Sequence, residues 1–468
     1  MMDVIVGGGV VGLSVAWRLA REGRPVTVVD PAPATGASHA AAGMLAPVSE
    51  VTYTEAPLLR LGLAALSRWP AFAAELAEDA GLPAGEVSPA ALARGPRSAA
   101  SAPLGAHAPK DPSGSGGRGF ASAGPDAGGR DSAGGLDLRA EGTLDVAFGS
   151  DDLAMLDELA AFMEKLDLPV ERLTGRECRR LEPMLAPSVR GGLLAPGDAW
   201  VNPRRVTAAL LTALERRSVP LVRARVSELV RTNGAVTGVR LATPTGAPAT
   251  GLRLGGHHAG GPPAAPHPAE TGGRAGAGAG DAAGRADRSG RAGEWADGDV
   301  LAADRVVLAA GAWSGELADV PVRPVKGQIM RLRSPQPLLT HCVRGTVHGS
   351  PVYLVPRGDG ELVVGATQEE LGFDTSVTAG GLYELLRDAR ELVPGVTELE
   401  VADVVAGLRP GTPDNLPVIG PARTPGLTYA TGHHRGGVLM APLTAAILMG
   451  EESELATLCS PGRFQEIS

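Results

Sequence analysis

The sequence predicts an α/β fold. Strand–helix alternation marks both ends of the chain, a strand-rich α+β part built on a large, mostly antiparallel sheet lies between them, and two low-complexity insertions interrupt the whole. Three observations carry this reading. Short β-rich runs at 3–6 and 25–30 flank a helical pattern at 10–22, a βαβ-like opening. A second strand, turn and helix pattern closes the chain after residue 427. Two stretches, 94–140 and 254–299, consist mainly of Gly, Ala, Pro, Ser and scattered charge. Such segments cannot bury enough apolar surface to offset ordering entropy, so they read as disordered.

Each element has a local reason. The opening helix ends at Gly23, a C-terminal cap. Residues 151–166 repeat apolar positions at helical spacing. Asn202-Pro203 supplies an N-cap and a proline at the first helical position for a helix to about Arg217. Residues 236–242 and 300–310 read as strands able to pair across the second insertion. Runs at 353–356 and 361–366 flank Arg357-Gly358-Asp359-Gly360, a hairpin signal. Leu382, Leu385, Leu386, Ala389 and Leu392 form one apolar helical face.

Composition narrows the functional classes. Lys and Arg number 43 against 52 Asp and Glu, a net charge of −9. An acidic surface attracts neither nucleic acid nor an anionic membrane. Cys178, Cys342 and Cys459 lie far apart without metal-ligand or disulfide spacing, so no metal is expected. The first strand begins almost at once, and no uncharged apolar run nears the ~18 residues that span a bilayer. A soluble, cytoplasmic protein is expected.

Gly7-Gly8-Gly9-Val10-Val11-Gly12 satisfies GxGxxG directly between strand and helix. Gly7 makes the tight turn, Gly9 admits a pyrophosphate, and Gly12 lets helix and strand pack closely. The helix N-terminus then offers N–H groups and partial positive charge to phosphate. Asp30 closes the second strand, where a carboxylate reaches a ribose hydroxyl. Together these predict a Rossmann-like adenine-dinucleotide site. Two further segments favour FAD over NAD. Small residues over 36–47, including Ser38 as a phosphate partner, let backbone run against an extended cofactor. Near the C-terminus, Gly432-His433-His434-Arg435-Gly436-Gly437 opens a helix near Val438, with Pro442 in about its first turn. A helix start of this kind stabilises the anionic edge of a reduced flavin.

With these residues in hand, the chain resembles the FAD-dependent glycine oxidases of thiamine-thiazole synthesis, in the D-amino-acid oxidase family. The likeness rests on Gly7–Gly12, on Ala40-Ala41-Ala42-Gly43-Met44-Leu45 and on Val306-Val307-Leu308-Ala309-Ala310-Gly311-Ala312-Trp313-Ser314. It continues through Pro324-Val325-Lys326-Gly327-Gln328, Gly407-Leu408-Arg409-Pro410-Gly411-Thr412-Pro413-Asp414 and 432–442. It implies that Arg409 pairs with a substrate carboxylate, that Tyr353 assists, and that Arg435 is a second active-site arginine. It implies non-covalent FAD contacts at Val10, Val11, Asp30, Ser38, Ala42, Gly43, Met44, Val226, His433, His434, Arg435, Gly436, Gly437, Val438 and Leu439. The chain departs from the family pattern at His434, Gly436 and Gln368.

The implied organisation puts FAD binding in 1–83, 151–177, 201–253, 300–318 and 403–468. Substrate binding falls to 84–93, 141–150, 178–200 and 319–402. The implied reaction turns a small amino acid and dioxygen into an imine and hydrogen peroxide. Its further implications are a homo-oligomer, a tetramer by resemblance, and hand-over of the imine to a thiazole synthase. The residues leave glycine, sarcosine, proline and D-amino acids open as substrates, and a quinone or partner protein open as electron acceptor. A bidentate arginine suits a planar carboxylate better than lysine does. Lys326 reads as a structural lysine, with a role near oxygen as the alternative.

Overall fold

The computed structural model describes residues 1–83, 135–242 and 296–464. Most of each compositional insertion lies outside these residues. The described chain resumes before the first insertion was expected to end: Leu136 and Leu138 are buried, and Arg139 bridges to Trp200. Residues 296–299 likewise form a turn leading into a strand.

A six-stranded sheet runs in the order Val418–Pro421, Leu427–Thr431, Arg305–Leu308, Asp3–Val6, Val26–Val29, Leu221–Val222. All neighbours are parallel except the first pair. Its central strands are buried throughout, because layers cover both faces. Helices Val10–Arg21, Ala56–Ala80, Pro203–Arg216 and Gly437–Leu448 share one apolar core with one face. The other face packs on an antiparallel sheet of Arg225–Thr232, Ala235–Ala242 and Val300–Ala302.

The predicted pairing across the second insertion is present, but 300–310 is two strands. Val300–Ala302 pairs with Gly238 to Arg240, and Arg305–Leu308 then crosses into the centre of the parallel sheet. The Asn202 cap forms as expected, its Oδ1 accepting from the Arg204 and Arg205 amides, with Pro203 at the helix start.

The large sheet has eight strands, in the order Glu400–Gly411, Arg323–Arg333, Glu361–Gly365, Ser350–Pro356, Cys342–Val347, Thr143–Ala147, Gly191–Ala195, Glu171–Thr174. Only Cys342–Val347 with Thr143–Ala147 is parallel. Helix Ala379–Leu392 buries Leu385, Ala389 and Leu392 on one face. Two stretches expected in the FAD-binding part supply strands to this sheet. Glu171–Thr174 pairs with Gly191–Ala195, and 403–411 continues a strand paired along Arg323–Arg333. The face away from helix Ala379–Leu392 carries Ile329, Tyr353, Val355, Val363 and Val405, and meets Ala40, Ala42 and Trp200. Trp200 is fully buried and donates its indole N–H to the Pro356 carbonyl, 2.8 Å. The parallel sheet thereby presents the C-terminal ends of its strands to one face of the large sheet.

Among the described residues no helix is long and apolar enough to cross a membrane. Cys178, Cys342 and Cys459 are buried free thiols.

Candidate active site

A cavity of about 1500 Å³ lies where the strand ends meet the large sheet. Pockets for drug-sized ligands occupy roughly 300–1000 Å³, so this one has room for an extended cofactor and a small substrate. Gly7, Gly8, Gly9, Val10, Val11, Asp30, Ser38, Ala42, Gly43, Met44, Val226, Tyr353, Arg409, His433, His434, Arg435, Gly437 and Val438 all line it. Gly12, Gly436 and Leu439 do not. A Cβ on Gly12 would overlap the Gly7 carbonyl, so its role is close helix–strand packing. Gly436 and Leu439 line a separate small pocket, and the Leu439 carbonyl accepts the Trp69 indole N–H at 2.9 Å.

The glycine turn is held from both sides. Gly7 has φ +114°, and its N–H donates to Val29 at 2.9 Å. The Asp30 carboxylate accepts from the Gly8 amide at 2.6 Å and the Ala32 amide at 2.7 Å. Burial raises the Asp30 pKa, against those two hydrogen bonds. Asp30 thus braces the loop and still faces the cavity. Ser38 accepts from the Val10 amide at 2.9 Å, capping the opening helix from another segment and leaving its hydroxyl proton to donate.

Residues 37–44 wrap the cavity because three arginines, unread in the sequence, grip their carbonyls. Arg204 donates to His39 at 3.0 Å. Arg331, fully buried, donates to His39 at 3.3 Å and Ala41 at 3.2 Å while pairing with Glu361 at 2.5 Å. Arg357 donates to Val201 at 2.9 Å and also to Ala42. Burial and the neighbouring Arg331 push the Arg357 guanidinium down to about 10, still charged at neutral pH. Gly43 is required here: its φ is +79°, and a Cβ would lie 2.7 Å from Pro203 Cγ. The signal in the sequence was a charge set among apolar residues of a strand, Ile329-Met330-Arg331-Leu332, and of that strand only the end residues Arg323 and Arg333 are exposed.

Arg409 and Tyr353 meet on the cavity face of the large sheet. Arg409 sits opposite Val325, and its guanidinium lies over Gly327, where a Cβ would come within 2.5 Å of Nη2 and 2.6 Å of Cζ. It donates to the carbonyls of Thr367 at 3.2 Å and Lys326 at 3.4 Å. Among the described residues it forms no ion pair. Tyr353 stands over Gly365, the residue opposite it on the next strand. Burial raises its pKa, opposed by the nearby positive charge of Arg409, so it is a neutral phenol that can donate. Gln368 also lines the cavity.

Arg435 reaches the cavity differently from Arg409. Its guanidinium is engaged by Glu55 at 2.6 Å and lies 3.8 Å from Glu50. It ties the C-terminal turn to the start of helix Ala56–Ala80 while still lining the cavity.

That turn is a 3₁₀ segment, His434–Gly436, running into helix Gly437–Leu448, so Pro442 falls in the second turn. His433 is buried, bonded to Thr444 Oγ1 at 2.8 Å, and burial lowers its pKa to about 3. His434 is lowered to about 4 by burial and by Arg435 and Arg409. Its Nδ1 is buried without a hydrogen-bond partner. Both rings are neutral at pH 7. Among the described residues no His, Cys, Asp or Glu cluster has a metal-binding arrangement.

The donor set suits a flavin dinucleotide: a glycine turn at a helix N-terminus for phosphate, a carboxylate at the second strand's end, small residues over 40–43, and a second helix start facing the same space. The family model for FAD dependent oxidoreductases of the DAO type matches residues 4–110, 129–266 and 276–450.

The chain belongs to this family.

The chain is 29% identical to the bifunctional protein ThiO/ThiG of Nostoc over 95% of its own length and 51% of that protein's. It is 28% identical to the glycine oxidase of Geobacillus kaustophilus, covering 95% of this chain and 90% of that one. The crystal structure of glycine oxidase from Geobacillus kaustophilus superposes with a TM-score of 0.68 at 27% identity, over 96% of this chain and 93% of the other. The chain spans about half the length of the ThiO/ThiG relatives it matches.

Proposed function

We propose that this oxidoreductase converts a small amino acid, glycine or a close analogue, to its imine while dioxygen becomes hydrogen peroxide. The observation that carries the reading is Arg409. A half-buried guanidinium, held by two neutral carbonyls and free of any described carboxylate, is a site prepared for an anion. Tyr353 stands beside it with a hydroxyl to donate. Two donors on one carboxylate fix its position and rotation, which is what a near-attack geometry needs.

FAD, when bound, supplies the two-electron acceptor for the hydride leaving the substrate α-carbon. The protein's part is orientation and exclusion of water. Arg409 and Tyr353 hold the carboxylate, and the apolar face at Ile329 and Val405 backs the cavity. His433 and His434, both neutral, add no positive charge against a substrate amine. Once that amine has lost its proton, the step asks for no further base from the chain.

Similarity to glycine oxidases and to ThiO/ThiG proteins supports glycine as substrate and delivery of the imine to thiazole synthesis. The test is direct. The purified protein should release FAD, and peroxide should accumulate with glycine above sarcosine and D-alanine. Arg409→Ala should keep FAD but lose about 30- to 150-fold in kcat/KM, the worth of a charge-assisted hydrogen bond of ~2–3 kcal/mol. Wild-type turnover by that variant rejects the role. Flavin bleaching by glycine without peroxide rejects dioxygen as the acceptor.

A further inference from the structure

Lys326 points away from the cavity that Arg409 lines. It lies on the strand Arg323–Arg333, one residue before Gly327, so alternation sends its side chain to the opposite face. It is fully buried, and it is one of three lysines in a chain whose other basic residues are arginine. Its Nζ is 2.5 Å from Asp374 and 3.5 Å from Glu369, both on the loop at 366–378 that joins strand Glu361–Gly365 to helix Ala379–Leu392.

The same loop is stitched to the same strand by backbone. The Lys326 amide donates to the Glu369 carbonyl at 2.9 Å, and the Glu369 amide donates back at 3.0 Å. Gln328, also fully buried, completes the seam. Its amide nitrogen donates to Glu369 at 2.8 Å and its carbonyl oxygen accepts from the Thr378 amide at 2.8 Å. Beyond the seam, Phe373 stacks on Trp313 with centroids 5.6 Å apart, joining the loop to the parallel layer.

Both acceptors of the Arg409 guanidinium belong to this seam: one is the Lys326 carbonyl, the other the Thr367 carbonyl at the loop's start. We propose that Lys326 is a positioning residue, its ammonium pinning Glu369 and Asp374 so that the Thr367 and Lys326 carbonyls aim Arg409 at the substrate carboxylate. The inference rests on the reading of Arg409 as the carboxylate clamp.

The experiment uses the holoenzyme with acetate as a carboxylate probe, followed by the flavin absorption spectrum, beside steady-state kinetics with glycine. Lys326→Met should retain FAD, weaken acetate ~10–100-fold and raise KM by a similar factor with a smaller change in kcat, the penalty for misplacing a gripping group by about 1 Å. Asp374→Asn, which alters only the exposed half of the seam, should shift acetate affinity and KM the same way by less; it serves if Lys326→Met does not fold. Unchanged acetate affinity and KM in Asp374→Asn, or in a folded Lys326→Met, overturns the proposal. Arg409→Lys separates the two readings. If that variant binds acetate like wild type, or wild type does not bind acetate at all, the clamp itself is refuted. Should Arg409→Lys weaken acetate while the seam variants do not, only the role of Lys326 falls.

Discussion

Gly327→Ala asks whether the site depends on the space above one glycine. A Cβ there would sit 2.5 Å from Arg409 Nη2 and 2.6 Å from Cζ, against an ordinary contact of about 3.5–4 Å. The guanidinium must therefore retreat by about 1 Å, which its flexible stem allows without moving the strand. The retreat strains the bonds to Thr367 and Lys326 and spoils the two-point grip on a carboxylate. Losing one charge-assisted hydrogen bond costs ~1.5–3 kcal/mol, so kcat/KM for glycine should fall roughly 10- to 150-fold. No FAD-facing backbone is displaced, so flavin content and melting temperature should stay near wild type. The assay is peroxide release over a range of glycine concentrations with flavin quantified in the same sample. Undiminished kcat/KM, or a loss explained wholly by lost flavin, refutes the reasoning.

Other consequences are open to measurement. Gly407→Val should weaken FAD binding, because a Cβ there already lies 2.8 Å from Ala40 Cβ and a branched side chain pushes the 37–44 segment off the cavity; overpacking of this kind costs ~1–3 kcal/mol, read by flavin titration of apoprotein. Arg357→Met leaves the Ala42 and Val201 carbonyls without their donor, and chemical denaturation should show ~2–4 kcal/mol lost together with weaker FAD retention. His433 sets a pH dependence. Its folded pKa of about 3 lies below the ordinary 6.5, so between those values the unfolded chain binds the extra proton. The stability tied to a neutral His433 is complete above about pH 6.5 and declines as pH falls toward 3. Melting curves of wild type and His433→Asn from pH 7.5 to 4.5 should converge on acidification; a constant gap removes His433 as the cause.

The glycine turn, the strand and helix around it, and the capped helix at 203 were legible because each is local: one residue's φ, one cap, one period of burial. Helix Ala56–Ala80 was not. Pro70 interrupts its interior, and nothing local shows that the helix continues. Burial of Leu61, Leu66, Trp69, Phe72 and Leu76, with the Trp69 indole bonded to Leu439, carries it past the proline. The break at 303–304, which sends one apolar run into two sheets, was hidden for the same reason: both halves have strand composition, and only their partners differ.

The site divides along the same line. Arg409 and Tyr353, expected from the family resemblance, both line the cavity, because strands of one sheet carry them to the same face. Arg435 was expected too, but its engagement with Glu55 depends on a helix 380 residues away in the chain. The grip of Arg204, Arg331 and Arg357 on the 39–42 carbonyls likewise exists only after the two large sheets meet. By itself the sequence determined which groups are present and which local shapes they prefer, because φ preferences, caps and periodicity act within a few residues. The tertiary structure alone decided which charges are paired and that Arg409 faces the cavity without a described carboxylate, because ion pairing and burial depend on through-space distance that chain order does not encode.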